Sequence, residues 1–292
     1  MKRNKTLKHL TIGDFVTGFI ALLLCLVFIL PFMSVLAKSL SSERAVLTGS
    51  VNFWPVEPQI SAYRFALSTN KFILALSNSL FVTVVGTISS LFLNSMAAFV
   101  LAHTRLKGAK TVRTLILFTM IFNAGLVPGY LVVKSLGMLD KYAALILPAI
   151  SLPYNLLIMI SFVQGISPTF EESARIDGAG DFQTYWHIIL PLCKPMLASI
   201  ALFTAVSYWN DYFRPLIFIH QESKFTLALY LRQVLMSSND ISRTLDTAVY
   251  GNVAPISVQN ATIIISTIPI LLVYPFVQRF FVTGITLGGL KG

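Results

Sequence analysis

The chain has 292 residues, of which 55% are hydrophobic and 12% charged, and Lys plus Arg exceed Asp plus Glu by 10. Soluble domains carry about twice that charged fraction, so the composition excludes a cytosolic enzyme, a secreted disulfide scaffold and a disordered chain. What remains is an integral membrane protein, whose basic residues must be read by location, because nucleic acid and the inner membrane surface both attract them.

Lys2, Arg3, Lys5 and Lys8 precede the first uncharged stretch. Residues 1–14 therefore read as a short segment ahead of one transmembrane domain over 15–292. About 20 apolar residues cross the hydrocarbon core as a helix, which predicts a span over 15–37. Val35-Leu36-Ala37 is similar to a signal-peptidase site, but the apolar run outlasts a signal h-region of roughly 7–15 residues, so an uncleaved span is expected. Residues 38–71, with Trp54-Pro55 and Pro58, form a long loop. A second span is expected over 72–102, followed by a short basic link with Arg105, Lys107, Lys110 and Arg113. Further spans are expected over 114–133, 143–164, 195–219 and 256–278, the fifth on condition that Asp211 and Arg214 are tolerated. The two basic clusters must share a side, and their density marks it as cytoplasmic. Six helices then put both termini and residues 165–194 in the cytoplasm and residues 38–71 outside. Basic residues in several short inner segments, instead of one face, argue against nucleic acid as a partner. Cys25 and Cys193 should lie roughly half a bilayer apart, so no disulfide is expected between them.

Catalytic signatures are missing. Gly108-Ala109-Lys110-Thr111 has the ending of a phosphate-binding loop without its upstream glycine. His9, His103, His187 and His220 are scattered, with no metal-ligand spacing and no nucleophile elbow near them. No catalytic residue, metal or bound cofactor is expected, and energy for any work should come from another subunit.

Residues 165–194 read as a built element. Ser167-Pro168 can open a helix, since serine caps and a proline at the first position lacks an N–H that would be unpaired there. Thr169 with Glu172 is an alternative capping box. Glu171 and Glu172 suit the helix dipole, and Glu171 can pair with Arg175 one turn on. Asp177-Gly178-Ala179-Gly180 is a stop signal with Gly178 suited to the left-handed position, and Asp181 can cap a second helix running to Leu190-Pro191. Phe170, Ala174, Ile176, Tyr185, Trp186 and Ile189 exceed the apolar content of a solvated loop. They either pack on the inner ends of the chain's own spans or dock a soluble partner, and spacing does not choose between the two.

This segment resembles the EAA loop of ABC importer permeases, whose pattern is E-A-A, three residues, G, nine residues, I-x-L-P. Glu172, Ser173, Ala174, Gly178, Ile188, Leu190 and Pro191 occupy those places, with Ser173 where alanine is usual. The match extends to Asp177, Ala179 and Pro195, as in the carbohydrate-importer branch. Asn78-Ser79-Leu80, Ala97-Ala98 followed by Arg105, Trp209-Asn210-Asp211 with Pro215, and the ending Gly288 to Gly292 resemble the maltose-importer type. Gly125-Leu126-Val127-Pro128 and Ile176-Asp177-Gly178-Ala179 look like the subgroup that imports complex oligosaccharides, including plant-wall and uronate-containing ones.

The resemblance covers nearly the whole chain. It implies an all-α, multi-pass permease of the type I ABC importer fold in a bacterial cytoplasmic membrane. It also implies as partners a second permease, two ATPase subunits that use ATP and magnesium, and an extracellular substrate-binding protein. Glu171, Glu172, Ser173, Ala174, Asp177, Gly178, Ala179, Ile188, Leu190 and Pro191 would then form the ATPase-coupling loop, with Ala174 and Gly178 keeping one helix face small. For the translocation path the candidates are Asn123, Asn155, Tyr208, Trp209, Asn210 and Asp211. An ionised Asp211 facing lipid near the bilayer centre would cost about 2.5–3.5 kcal/mol, so it should face the interior or lie near the outer interface with Arg214 as partner. Tyr208 to Asp211 read either as a polar, aromatic lining for a sugar or as an interfacial anchor with a structural ion pair, and Asn123 and Asn155 are equally consistent with interhelical hydrogen bonds. An ion-coupled secondary transporter, a polytopic membrane enzyme, or an ABC permease for a non-sugar solute are the alternatives. The first would be expected to show internal repeats, and none is evident.

Overall fold

The computed structural model describes residues 12–103, 106–122, 124–241 and 255–288. Lys2, Arg3, Lys5, Lys8, His9, Arg105, Asn123 and the last four residues lie outside them. Among the described residues there are helices and turns and no strand. The chain divides into two compact units, Met1–Ser68 with Leu235–Ile265 and Thr69–Val234 with Ser266–Gly292.

In the first unit, α1 (Ile12–Ser39) is apolar on all sides. Phe15, Phe19, Leu22, Leu26 and Phe32 stay exposed, which is the arrangement expected when lipid and not water is the solvent. The long loop after it is ordered upon itself. Ser42 caps α2 (Glu43–Leu47) by accepting from Ala45 N at 3.2 Å, and its hydroxyl donates to Glu57 at 2.6 Å. Ser39 and Tyr63 hydroxyls bond at 2.7 Å, tying the end of α1 to α3 (Ser61–Ser68). Trp54 projects, 75% exposed.

The second unit is built on α4 (Asn70–Ala102), a 33-residue helix that rises about 50 Å, more than one bilayer core. Its amphipathicity is reversed relative to a soluble helix. Asn78, Ser79, Thr83, Gly86, Thr87, Ser90, Asn94 and Ser95 are buried, whereas Leu80, Phe81, Val84, Ile88, Phe92 and Leu93 are exposed. Small and polar residues recur every three or four positions, so they line one face. There they allow close approach and interhelical hydrogen bonds, while the apolar face suits lipid. Asn78 donates to Ser223 O and Phe225 O at 2.9 and 3.0 Å and accepts from Tyr142 at 2.8 Å. Asn94 donates to Ile150 O and accepts from Ser151, at 2.7 and 2.6 Å. Ser95 meets the Tyr185 hydroxyl at 2.7 Å.

The remaining apolar stretches of this unit are interrupted. The third apolar stretch holds α5 (Ala109–Ile121) and α6 (Leu126–Ser135), parted before Gly125, whose φ is +86°. The fourth holds α7 (Ala143–Ile146), prolonged by a 3-10 turn over Leu147–Ala149, and α8 (Pro153–Gln164), bent by 48°. After α9 (Thr169–Ile176), α10 (Asp181–Thr184), a π-helical turn over Tyr185–Ile189 and α11 (Leu190–Leu192) come α12 (Lys194–Trp209) and α13 (Phe213–Phe218). Helices α14 (Leu227–Ile241) and α15 (Pro255–Gly288) follow. Among the described residues two single helices, α1 and α4, are long and apolar enough to cross a membrane, and three bent helix pairs are so when each pair is counted as one span. The sixth apolar stretch lies within α15.

Asp140, at φ +57°, clamps the turn before α7 to the segment after α13. Its Oδ1 accepts from His220 N and Gln221 N at 2.6 and 3.1 Å, and its carbonyl accepts from Lys224 Nζ at 2.7 Å. The two backbone donors hold its carboxyl below the usual carboxylate range. A folded-state value below the unfolded one stabilises the clamp above the unfolded value, about pH 4, and the contribution is lost as pH falls through the folded value. Asp140→Ala should speed hydrogen exchange at the His220 and Gln221 amides at pH 7. Asp140→Asn, which keeps the accepting oxygen, should leave them largely protected.

Candidate functional site

Residues 165–194 fold as two helical pieces joined by a glycine stop. Pro168 has helical dihedrals, φ −62° and ψ −20°, and its carbonyl accepts from Glu171 N and Glu172 N. The first turn of α9 thus starts at the proline, and neither Ser167 nor Thr169 caps it by a side-chain bond to the backbone. Instead their hydroxyls bond each other. At the other end Ala179 N donates to Ala174 O at 2.9 Å and Gly178 N to Arg175 O at 3.1 Å, with Gly178 at φ +81°. These are the two bonds of a Schellman cap. Gly180 N donates to Gln183 at 3.1 Å, and Asp181 is the first residue of α10 and not its cap.

The charges pair differently from the expected surface pair. Glu171 reaches away from Arg175 to His103, just past the end of α4, with Oε2 and Nε2 2.6 Å apart. Arg175 instead meets Asp181 at 3.6 Å across the glycine stop. His103 Nδ1 lies 2.6 Å from Phe99 O. A cleft between α9 and the ends of α4 and α8 is lined by His103, Gln164, Glu171, Glu172 and Arg175.

The apolar residues divide between a buried and an exposed set. Ala174, Tyr185 and Ile189 are buried, the last two in a core with Phe99, Met159, Ile160, Cys193 and Ile200. Ile188 and Leu190 pack against the same core. Phe170, Ile176 and Trp186 are exposed, Ile176 by 86%, and Phe182 joins them, its ring stacked near Trp186 at 6.3 Å. Ala174 is thus small because its own chain covers it, while Ser173 and Gly178 are small and exposed. Burial pushes the Cys193 thiol up to about 11, so it stays protonated and unreactive near neutrality. The chain turns by 78° at this cysteine, between Pro191 and Pro195, as it enters α12.

Among the translocation candidates, Asn123 lies outside the described residues. Asn155 donates to Thr204 at 3.3 Å between α8 and α12. Tyr208 is buried, and its hydroxyl donates to Ile146 O at 3.0 Å. Asp211 accepts from Phe213 N and Arg214 N and pairs with Arg214 at 2.5 Å. Arg214 donates to Leu145 O at 2.9 Å and lies over the Tyr208 ring. Tyr208 and Arg214 thereby serve carbonyls at the end of α7, where Pro148 lacks an N–H to continue the helix. Trp209 is buried, and Asn210 is exposed beside exposed Tyr212 and Phe213.

His103 and Phe182 were not singled out from sequence as parts of this element. For His103 no local signal exists, since its partner is 68 positions away. For Phe182 the signal was its spacing of four from Trp186, which places both on one helix face.

Residues 72–287 match the family described as "Binding-protein-dependent transport system inner membrane component". The chain is 42% identical over 265 residues to Protein LplC of Bacillus subtilis (strain 168), covering 90% of each. It is 40% identical over 276 residues to the polygalacturonan/rhamnogalacturonan transport system permease protein YtcP of the same organism, covering 94% of this chain and 96% of that one. A chain in the crystal structure of a bacterial ABC transporter involved in the import of the acidic polysaccharide alginate superposes with a TM-score of 0.85 at 33% identity, covering 93% of this chain and 98% of that one. An EAA-like element of built geometry on an all-helical, lipid-adapted scaffold therefore meets a match over most of the chain, and the protein belongs to the family of inner-membrane components of binding-protein-dependent transport systems.

Proposed function

We propose that this chain is one permease of an ATP-driven, binding-protein-dependent importer for an oligosaccharide, and that residues 165–194 are where a separate ATPase docks. The observation that carries this reading is the division of that element into an inner side rooted in the core by Tyr185 and Ile189 and an outer side exposing Phe170, Ile176, Phe182 and Trp186. An apolar patch at the tip of a capped, anchored helix pair suits a soluble partner. On this reading the chain hydrolyses nothing itself. ATP and magnesium act in two ATPase subunits, and closure of those subunits moves this permease and a second one between inward- and outward-facing states as rigid bodies. Six spans, with both termini and the 165–194 element in the cytoplasm of a bacterium, follow from the basic clusters. The self-ordered loop 38–71, with Trp54, faces the extracellular binding protein. Asn210 is the candidate best placed to meet cargo, and the other candidates frame it. The relatives' named cargoes make an acidic oligosaccharide the first class to test.

Purification of the chain with its native associates should bring an ATPase and a second permease, and Glu172→Lys should leave the permease in the membrane without the ATPase. Retention of the ATPase by Glu172→Lys together with normal ATP-driven uptake would sink the coupling assignment. Nucleotide-independent flux through the single purified chain would favour a secondary transporter.

A further inference from the structure

We infer that Arg232 reads a carboxylate on the cargo, so that Asn210, Tyr212, Phe213 and Arg232 form a subsite for a uronate unit, an assignment that depends on the reading of the cargo as an acidic oligosaccharide. All four residues belong to the second unit. Helix α12 ends at Trp209 and α13 begins at Phe213. The link between them leaves Asn210 exposed, with Tyr212 and Phe213 exposed by 46% and 48%. The two rings meet edge to face, 83° apart in plane and 6.4 Å between centroids. Helix α14 brings half-buried Arg232 to this link, its Cζ 5.9 Å from the centre of the Tyr212 ring. A guanidinium over a ring is held by the ring's negative face, a contact that consumes none of its five N–H donors. Among the described residues Arg232 has no ion pair, whereas Arg175 and Arg214 each face a carboxylate. Asp211, next to Tyr212, is already committed. Its Oδ1 accepts from Phe213 N and Arg214 N, and its Oδ2 takes the Arg214 Nε–H. The charges of Asp211 and Arg214 therefore cancel, and Arg232 is left as the local excess. A half-buried cation with unspent donors gains most from an anion that takes two of them at once, as a carboxylate does. The exposed rings suit the C–H face of a pyranose, and the Asn210 amide, both donor and acceptor, suits its hydroxyls. A lipid phosphate would satisfy the same cation, but its acyl neighbours offer nothing to that amide. On the orientation proposed above, this link lies at the outer end of the fifth span, where cargo enters from the binding protein.

The test uses the complex purified with its native associates and reconstituted in phosphatidylcholine vesicles, with trigalacturonate and its uncharged methyl ester as probes. Modification of Arg232 by phenylglyoxal, read by peptide mass spectrometry, should slow severalfold with trigalacturonate and stay unchanged with the ester. In ATP-driven uptake, Arg232→Gln should reduce the preference for trigalacturonate over the ester roughly tenfold, the weight of a lost charge-assisted hydrogen bond. Arg232→Lys keeps the charge without the fork and should retain part of that preference. Tyr212→Leu removes the ring under the guanidinium and should lower it as well. An unchanged preference in Arg232→Gln would overturn the inference, as would equal slowing of the modification by both probes. If modification slows when phosphatidylglycerol is added and ignores trigalacturonate, the cation serves a lipid and the subsite is wrong. Should Arg232→Gln fail to insert, the protection measured on the unaltered protein decides. If the unaltered complex imports trigalacturonate while Arg232 is neither protected nor needed for the preference, the cargo reading stands and the subsite falls. If it imports none, the acidic-cargo reading itself has failed, and the subsite with it.

Discussion

Gly178→Val is expected to release the ATPase proposed to dock on residues 165–194 while leaving the permease inserted and folded. The substituted glycine has φ +81°, and a Cβ built on it meets nothing within 4 Å, so the penalty is entirely one of backbone conformation. An L-residue in this region costs about 1–2 kcal/mol, and a β-branched one is a genuine outlier there. The chain can escape by abandoning the Schellman cap. That would unpair the carbonyls of Ala174 and Arg175 and change the path from α9 to Asp181. Such a change reorients Ile176 and Phe182, the exposed groups on either side of the stop. Gly178→Asn should retain most ATPase binding, because asparagine tolerates the left-handed region. The check is co-purification of the ATPase with each variant, at equal permease yield. Equal ATPase retention by Val and Asn variants would show that the turn geometry is irrelevant to docking.

Gly86→Val should destabilise the second unit by about 1–3 kcal/mol, the usual cost of overpacking, and lower the melting temperature of the detergent-solubilised permease. A Cβ at this position would lie 2.7 Å from two carbons of the Tyr208 ring. An aromatic ring can often swing aside, but this one is held. Its hydroxyl donates to Ile146 O, and the Arg214 guanidinium, itself paired with Asp211, lies over its face. Moving the ring would break a buried hydrogen bond and disturb the junction of α12 and α13. Gly86→Ala combined with Tyr208→Leu should be less destabilising than the sum of the two single changes, since the second removes the obstacle that the first meets. Strict additivity in that cycle would mean that the contact between α4 and α12 at this level is not tight.

Helix content, the approximate positions of the apolar stretches and the glycine stop after α9 were legible in the sequence. Each is a local or periodic property: runs of about 20 apolar residues, capping residues, and a glycine at a left-handed position. Where helices break inside those stretches was less legible. Span-like runs over 114–133, 143–164 and 195–219 each contain an interruption, because hydropathy averages over the glycine, proline and aspartate that cause it. Tyr208 and Asp211 carry the chemistry of a sugar-lining surface, and sequence left open whether they line a path or brace the fold. Their side chains are engaged by Ile146, Phe213 and Arg214, partners that no spacing rule would select beyond the pair of Asp211 with Arg214.

Composition, hydropathy and the EAA-like pattern by themselves determined that this is a helical membrane permease and singled out residues 165–194 as a built element, since burial in lipid and helix capping act on neighbours in sequence. Tertiary structure alone decided which side of that element is rooted and which is offered outward, and that Glu171 belongs to His103 and not to Arg175. The reason is physical. A polar side chain near a helix end takes whichever partner the packing of distant helices brings within about 3 Å, and a half-buried contact is less screened by solvent than an exposed pairing one turn away.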